Sequence, residues 1–323
     1  MGGNTTTTQI PAEVSAFYNK NLLTRVTPLF LHRNWSQIAN IPRKSGTVVV
    51  KFRRYANLSA ATTPLSEGIT PAGSQLSVTD ITATVNQYGD FVTVTDVLDY
   101  TTEDPELTYA GEVLGDQAGD TLDQVTRDVL AAGTAAYLPS TYTLRSQITT
   151  SDLISVTLVQ KVVRALKNNN ARKMTTMVDA STGINTTPLQ PCFVGIVHPN
   201  VAYTLKGLTG WTSVEKYAST KTIMEGEIGA LDEVRFVETT NAKVFSASGA
   251  SGQDIYGTII LAMHAYGTTE ITGETLKNII KPLGSGGTAD PLDQRATSGW
   301  KATFIAKILN NAFMYRIETS AAS

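Results

Sequence analysis

Glu225 and Glu227 stand one glycine apart in the segment EGEIG and are the side chains best placed in the sequence for acid–base catalysis. Glycoside hydrolases use two carboxylates, one as a general acid and the other as a base or nucleophile. Acidic residues are also common in glycine-rich surface loops, and we predict such a loop at residues 225–229. An enzyme acting through this pair is therefore the weakest of the functional hypotheses.

The other reactive side chains form no known catalytic or metal-binding motif. His32, His198 and His264 are far apart in the sequence, and there is no Gly-Lys dipeptide of a phosphate-binding loop. His198 precedes Pro199 at the predicted end of a strand, which favours a structural role. The single cysteine, Cys192, lies in the apolar run PCFVGIV and is predicted to be a buried core residue. We predict no catalytic residue, cofactor or metal.

Charged residues are few and unevenly distributed. They form 17% of the chain and leave a net charge of −2, so there is no general basic excess for binding nucleic acid. A basic group contains Arg43, Lys44, Lys51, Arg53 and Arg54. An acidic group contains Glu112, Asp116, Asp120 and Asp123. Because acids four residues apart on a helix repel one another, a basic partner outside the helix is expected.

The longest helical pattern covers residues 103–132. Its apolar residues recur at steps of three and four and are Leu107, Ala110, Leu114, Ala118, Leu122, Val125, Val129 and Ala132. Asp104 is predicted to cap this helix, with Pro105 in the first turn and Gly133 just beyond the end. Such a helix is roughly 42 Å long. We expect the rest of the fold to be arranged along it.

Residues 41–95 predict a long two-stranded arm. Apolar and polar residues alternate at 48–53 and again at 81–86, which is typical of β-strands. The segment between them has few apolar residues and contains Pro64, Gly68 and Gly73, as functional or disordered loops do. A two-stranded ribbon is only marginally stable alone in water. This arm therefore needs a neighbouring surface.

The second half of the chain has an α/β pattern. A helix is predicted to open at Ser151, and another to run from Pro199 through Leu205. Strands are predicted at residues 193–197, 234–237 and 255–263. Near the C-terminus, alternating residues on both sides of Asn310 and Asn311 predict a β-hairpin. The first thirty residues contain no secretory signal pattern, and no window is apolar enough to span a membrane, so we expect synthesis in the cytoplasm.

A distinctive series of segments begins at residue 41. In order, they read IPRKSGTVVVKFRRYANLSAATTPLSEGITP, QYGDFVTVTDVLD, GDQAGDTLDQVTRDVL, HPNVAYTL, EGEIGALDEVRFVETTNAKVF and DPLDQRATSGWKATFIAKILNNAFMYRIE. This series resembles the N-four-type major capsid proteins of tailed bacteriophages. The resemblance covers the chain from about residue 41 to its end.

The resemblance implies an α+β chain with the tailed-phage major capsid fold. That fold has an N-terminal arm, an extended hairpin called the E-loop, a peripheral P-domain with a long spine helix, and an axial A-domain. Mapped onto this sequence, these parts are residues 1–40 for the arm, 41–95 for the E-loop, 96–189 with 272–323 for the P-domain, 103–132 for the spine helix, and 190–271 for the A-domain.

The same resemblance implies a structural protein without catalytic residues. It would assemble with itself into hexamers and pentamers that form an icosahedral virion capsid around double-stranded DNA. The capsid protein would contact this DNA without sequence specificity. Assembly would take place in the cytoplasm of the bacterial host. Portal, separate scaffolding and decoration proteins are the other implied partners, and no membrane is involved. A tail or fibre subunit is the alternative. In shells of this fold the hairpin of one subunit lies over the next subunit's P-domain, so we predict that the basic group docks beside a neighbour's acidic group.

Overall fold

The computed structural model describes residues 30–44, 46–65, 67–68, 70, 72–101, 106–183, 186–219, 223–272, 276–287 and 290–322. Its strands are β1 (Gln37–Ile38), β2 (Val49–Tyr55), β3 (Val78–Thr84), β4 (Asn86–Thr95), β5 (Ala136–Tyr137), β6 (Phe193–Val197), β7 (Thr212–Ser213), β8 (Glu227–Leu231), β9 (Val234–Glu238), β10 (Val244–Phe245), β11 (Ile255–Leu261), β12 (Tyr266–Thr269), β13 (Leu276–Lys281), β14 (Arg295–Ile308) and β15 (Met314–Thr319). Its α-helices are α1 (Asp96–Thr101), α2 (Glu106–Ala131), α3 (Val156–Asn168) and α4 (Pro199–Lys206).

An eight-stranded sheet holds most of the hydrophobic core. Its order is β5, β15, β11, β6, β9, β8 and β7, and β10 is paired with β11. Every residue of β6 is buried, because successive side chains of a strand point to opposite faces and both faces are covered here. Phe193 and Val197 pack on one face with α3 and α4. Val194 and Ile196 pack on the other, with Leu31 and Leu130.

A five-stranded sheet carries the long helix. Strand β14 pairs with β4, β13 and β12, and β1 adds to the free side of β12. The apolar stripe of α2 lies on this sheet, where Leu114, Ala118 and Leu122 contact side chains of β14. The partners on β14 are Trp300, Ala302, Phe304 and Ala306. The predicted spine helix is confirmed over Glu106–Ala131, while its predicted start at Asp104 and Pro105 lies outside the described residues.

The predicted pairing of the arm strands is also confirmed. Strand β2 runs antiparallel to β3, from the pair Val49 and Thr84 to the pair Tyr55 and Val78. The chain then passes through Val85 into β4 and joins the five-stranded sheet. We call β2, β3 and the segment between them the arm hairpin. Its intervening segment has no described strand or helix, and its described side chains are exposed.

Three local predictions are wrong. The C-terminal strands do not form a hairpin, because β14 lies in the five-stranded sheet and β15 pairs with β11 and β5 in the other. Helix α3 begins at Val156 instead of at Ser151, since Ser155 accepts the backbone N–H of Leu158 and caps it. The predicted loop at 225–229 is a turn only as far as Gly226, after which β8 begins.

Each of the two sheets combines segments from more than one predicted domain. Strand β15 and helix α3 belong to the predicted P-domain segments but pack into the eight-stranded layer. Strand β12 belongs to the predicted A-domain segment but pairs with β14. Segments that are distant in the sequence therefore hold the two layers together, and the domain limits given above stay predictions.

Candidate assembly surfaces

The basic group lies on the arm hairpin and on the segment that leads to it. Arg43 and Lys44 precede β2, whereas Lys51, Arg53 and Arg54 lie on it, and all five side chains are exposed. Residues of a strand alternate between faces, so Lys51 and Arg53 share one face and Arg54 lies on the other with Phe52. Phe52 turns towards the body of the subunit, where it lies against Gly267 of β12.

An acidic residue of β3 lies beside the basic strand. Asp80 is directly opposite Arg53 on β3, and Arg53 Nε donates to Asp80 Oδ1 over 3.0 Å. The hydrogen bond from Arg53 lowers the pKa of Asp80, and Lys51 adds to this shift through its charge. The sequence did not indicate this pair, because the two residues are 27 positions apart and meet only once the strands pair.

The acidic group on α2 is divided by its surroundings. Glu112 is exposed and Asp116 is half-buried, with Gly115 between them. Asp120 accepts hydrogen bonds from Asn241 and Gln124. Asp123 is completely buried, so it cannot be a surface residue for a neighbour, contrary to the prediction. Of the four acids, Glu112 is the one that is exposed, Asp116 and Asp120 are half-buried, and Asp123 is buried.

Asp123 belongs to a buried polar cluster that joins distant segments. Its carboxylate accepts the backbone N–H of His32 and contacts His32 Nδ1, both over 2.8 Å. Asn241 Nδ2 approaches the same carboxylate at 3.3 Å, and the hydroxyl of Tyr266 donates to the carbonyl of His32. His32, which is 91 positions from Asp123 in the sequence, is thus a direct partner of this acid in the folded chain.

Glu227 is not available for catalysis. Its side chain is fully buried and accepts two 2.6 Å hydrogen bonds from Arg235, with further bonds from the Tyr217 hydroxyl and the Met224 backbone. Burial raises the pKa of Tyr217, and the neighbouring Glu227 carboxylate adds to that shift. The four donors hold the turn at residues 225 and 226 against β9, so this arrangement is structural.

The other candidate reactive residues also have structural surroundings. Cys192 is buried as predicted, its Sγ donates to the carbonyl of Gln190, and burial raises its pKa to about 11. His198 accepts the backbone N–H of Asn200 and caps α4, and burial lowers its pKa. Within the described part of the chain, no three potential ligands converge as a metal site would need. Nor does any described helix have the length and apolar character needed to cross a membrane.

Comparison with protein families shows which family this chain belongs to. A family model described as phage capsid protein matches residues 32–265, which is most of the chain. The chain belongs to the phage capsid protein family. Its members are structural proteins of the virion capsid, and this capsid protein is therefore not an enzyme. The match includes the arm hairpin, α2 and the core strands up to β11.

Solved capsid structures share the fold over nearly the whole chain. The capsid of Ralstonia phage GP4 superposes with a TM-score of 0.73 at 12% identity, over 96% of each chain. The cyanophage Pam1 capsid gives 0.68 at 14% identity, over 97% of this chain and 98% of that one. The capsid of cyanophage P-SCSP1u gives 0.66 at 14% identity, over 95% and 93%. None of the curated proteins matches the sequence. The expected tailed-phage major capsid fold is confirmed.

Proposed function

We propose that this capsid protein assembles into hexamers and pentamers that form an icosahedral shell around packaged double-stranded DNA. The observation that carries the proposal is the arm hairpin, a projecting two-stranded ribbon on a subunit of the capsid family. Isolated ribbons are marginally stable in water, and large apolar side chains such as Leu58, Leu65 and Leu76 are exposed along its intervening segment. A second subunit would cover them.

The division into parts follows the same proposal. Residues 41–95, which contain the arm hairpin, would act as the E-loop, residues 96–189 with 272–323 as the P-domain around α2, and residues 190–271 as the A-domain. Portal, separate scaffolding and decoration proteins would be further partners, with assembly in the host cytoplasm. The net charge of −2 supports a container, because a wall dense in Lys and Arg would bind DNA phosphates and oppose packing and release.

For the contact between neighbours, we infer that the basic strand of one arm hairpin lies beside the accessible acids of the next subunit's α2. Asp123 is buried and cannot take part in this contact. Glu112 is exposed and Asp116 is half-buried near the N-terminal end of α2, so these two acids form the acidic side of the proposed contact. On the basic side, Arg53 is engaged with Asp80, and Lys51 and Arg54 are exposed cations on the two faces of β2. Gly115 has nothing within 4 Å of the position that a Cβ would occupy, so a neighbour can come close there.

Electron microscopy of the purified recombinant protein tests the proposed assembly. Closed shells are expected, whereas a strict monomer at high protein concentration would contradict the proposal. Fibres would favour the tail or fibre alternative.

A charge reversal tests the proposed contact. Lys51→Glu with Arg54→Glu is expected to block shell formation, and adding Glu112→Lys with Asp116→Lys is expected to restore part of it. The matched control reverses Arg164 and Lys216, which are exposed cations on the eight-stranded layer. Because the Debye length is about 8 Å at physiological salt, assembly should also weaken as salt rises. Normal assembly of the first double variant, or no rescue in the quadruple variant, would overturn the contact.

A further inference from the structure

One face of the five-stranded sheet is covered by none of the helices that the structure describes. Strands β4, β14 and β13 lie side by side, and α2 covers the face formed by Trp300, Ala302 and their neighbours. The residues between these on β14 point to the opposite face. On that face the pairing register places Phe91, Gly299 and Ile279 in one row across the three strands.

This row forms the floor and walls of an apolar groove. Gly299 has no side chain, and a Cβ at this position would lie 2.8 Å from the Cβ of Phe91. Phe91 is 61% exposed and Ile279 is 43% exposed, one on each side of the glycine. The cavity has a volume of about 650 Å³. An exposed phenylalanine and an exposed isoleucine on either side of a glycine form an apolar surface, and its burial by another chain is favourable.

Lysines occupy the rows on both sides of the groove. Lys281 lies beside Thr297 in one flanking row, and Lys301 lies opposite Gly89 in the other. Both side chains line the cavity and are exposed, and neither forms an ion pair with the residues that the structure describes. The groove therefore fits a partner that offers large apolar side chains together with carboxylates.

Helix α1 of the same chain has this chemistry. It follows β4 directly and is anchored by Leu98, which is completely buried. Its other side presents Val97, which is 57% exposed, and Tyr100, which is 77% exposed. Asp96 and Asp99 provide the carboxylates. Because Leu98 fixes α1 while Val97 and Tyr100 remain exposed, the groove of its own subunit does not cover them.

We propose that the groove between Phe91 and Ile279 binds helix α1 of a second copy of this chain. Tyr100 and Val97 fill the apolar row, while Asp99 meets Lys281 or Lys301. The proposal rests on the proposed self-assembly and adds a second contact, on the face of the sheet opposite α2 and its arm-hairpin contact. Tyrosine is well suited to this role, since it buries a large rigid surface and keeps a polar tip.

Cross-linking between different subunits tests the contact. One variant carries Tyr100→Cys and another carries Ile279→Cys, and the two are co-assembled and treated with a short bis-maleimide. Cys192 is buried and its thiol pKa is raised, so the native cysteine contributes little background. A covalent dimer is expected in the mixture and not with either variant alone. The matched control replaces Tyr100→Cys with Tyr203→Cys on α4, which is 75% exposed.

The outcomes separate this inference from the proposed function. Shells that form without the covalent dimer, or a control mixture that cross-links equally, would overturn the docking of α1 and leave shell assembly standing. An unmodified chain that forms no particles would overturn the proposed function and this inference together. As a second measurement, Lys281→Glu with Lys301→Glu is expected to reduce the yield of shells several-fold, and Asp99→Lys is expected to restore part of it. A yield equal to that of the unmodified chain would contradict the proposal.

Discussion

The strands of the arm hairpin and the central strand of the eight-stranded sheet, β6, have opposite surroundings. In β6 every residue is buried, and both faces of the strand are covered by helices or other segments. In β2 no residue is buried, and five of its seven residues are exposed. The ion pairs differ in the same way, because Arg235 and Glu227 are 1% and 0% exposed, whereas Arg53 and Asp80 are 55% and 34% exposed.

This contrast separates two roles in one chain. The eight-stranded layer has its own core and is stable through contacts within the subunit. The arm hairpin places little apolar surface against the body of the subunit: Ala83 of β3 is buried, and Phe52 of β2 lies against Gly267 of the five-stranded sheet. Substitutions in the first region should therefore change the stability of the subunit, and substitutions in the second should change assembly.

The largest effect is expected from the core of the eight-stranded layer. Phe236 is completely buried and packs against Gly195 and Trp211. Phe236→Ala should lower the free energy of unfolding by about 3–5 kcal/mol, because it removes apolar burial and leaves a cavity. Leu65→Ala, at a 78% exposed position of the arm hairpin, should leave it unchanged. Urea denaturation of the two variants measures both, and equal losses would contradict the division of roles.

A matched pair of charge deletions compares the two ion pairs. Glu227→Gln removes the charge that balances the buried Arg235 and should cost up to about 3–5 kcal/mol of stability. Asp80→Asn removes the equivalent partner of the exposed Arg53, where water replaces the lost contact, and should not shift the thermal unfolding midpoint measurably. Differential scanning calorimetry checks both variants. A clear destabilisation by Asp80→Asn would mean that the arm hairpin is part of the subunit core.

A smaller effect, on the pH dependence of subunit stability, is expected from Glu318 on the last strand, β15. Glu318 is buried, which alone would raise its pKa, but hydrogen bonds from Arg145 and Arg316 lower it below the ordinary value. A depressed pKa stabilises the folded state above the pKa of the unfolded chain, near 4.5, and this contribution is lost as pH falls through the folded pKa. The same Arg316 donates to the carbonyls of Ala131 and Gly133 at the end of α2.

Glu318→Gln should therefore lower stability at neutral pH by about 1.5–3 kcal/mol. It should also flatten the fall in stability on acidification below pH 4.5. Thermal unfolding between neutral pH and pH 3 checks both expectations, with Asp80→Asn as the exposed control. If stability falls below pH 4.5 as steeply in Glu318→Gln as in the unmodified chain, another carboxylate controls this fall.

The sequence predicted elements well where a local pattern was sufficient. The helix along α2 has an apolar stripe over many turns, and β6 is a short apolar run that ends before Pro199, so both were located closely. Strand pairing near the C-terminus was not predictable, because alternation indicates a strand but not its partner. Asn310, which suggested a hairpin turn, instead accepts the backbone N–H of Ala312 and starts a short helical turn between the two sheets.

The candidate surfaces were harder to predict, because they depend on contacts between distant residues. Asp123 was counted as a surface acid, although His32, 91 positions away, holds it in the core. One signal was present in the sequence: Asp123 and Thr126 follow Gly119 at helical spacing and extend the buried face of α2. The groove beside Phe91 gave no such signal, since only the register of β4, β14 and β13 brings its walls together.

The most direct test of the account is removal of the projecting part of the arm hairpin. Deleting residues 57–74 should leave the thermal unfolding midpoint and the cooperativity of the transition unchanged, because the segment places no described side chain in the core. The same deletion should abolish closed shells in sedimentation and electron microscopy, since the neighbour loses its contact. Loss of cooperative unfolding, or shells formed in the same yield as by the unmodified chain, would contradict the claim that this hairpin serves assembly and not the subunit.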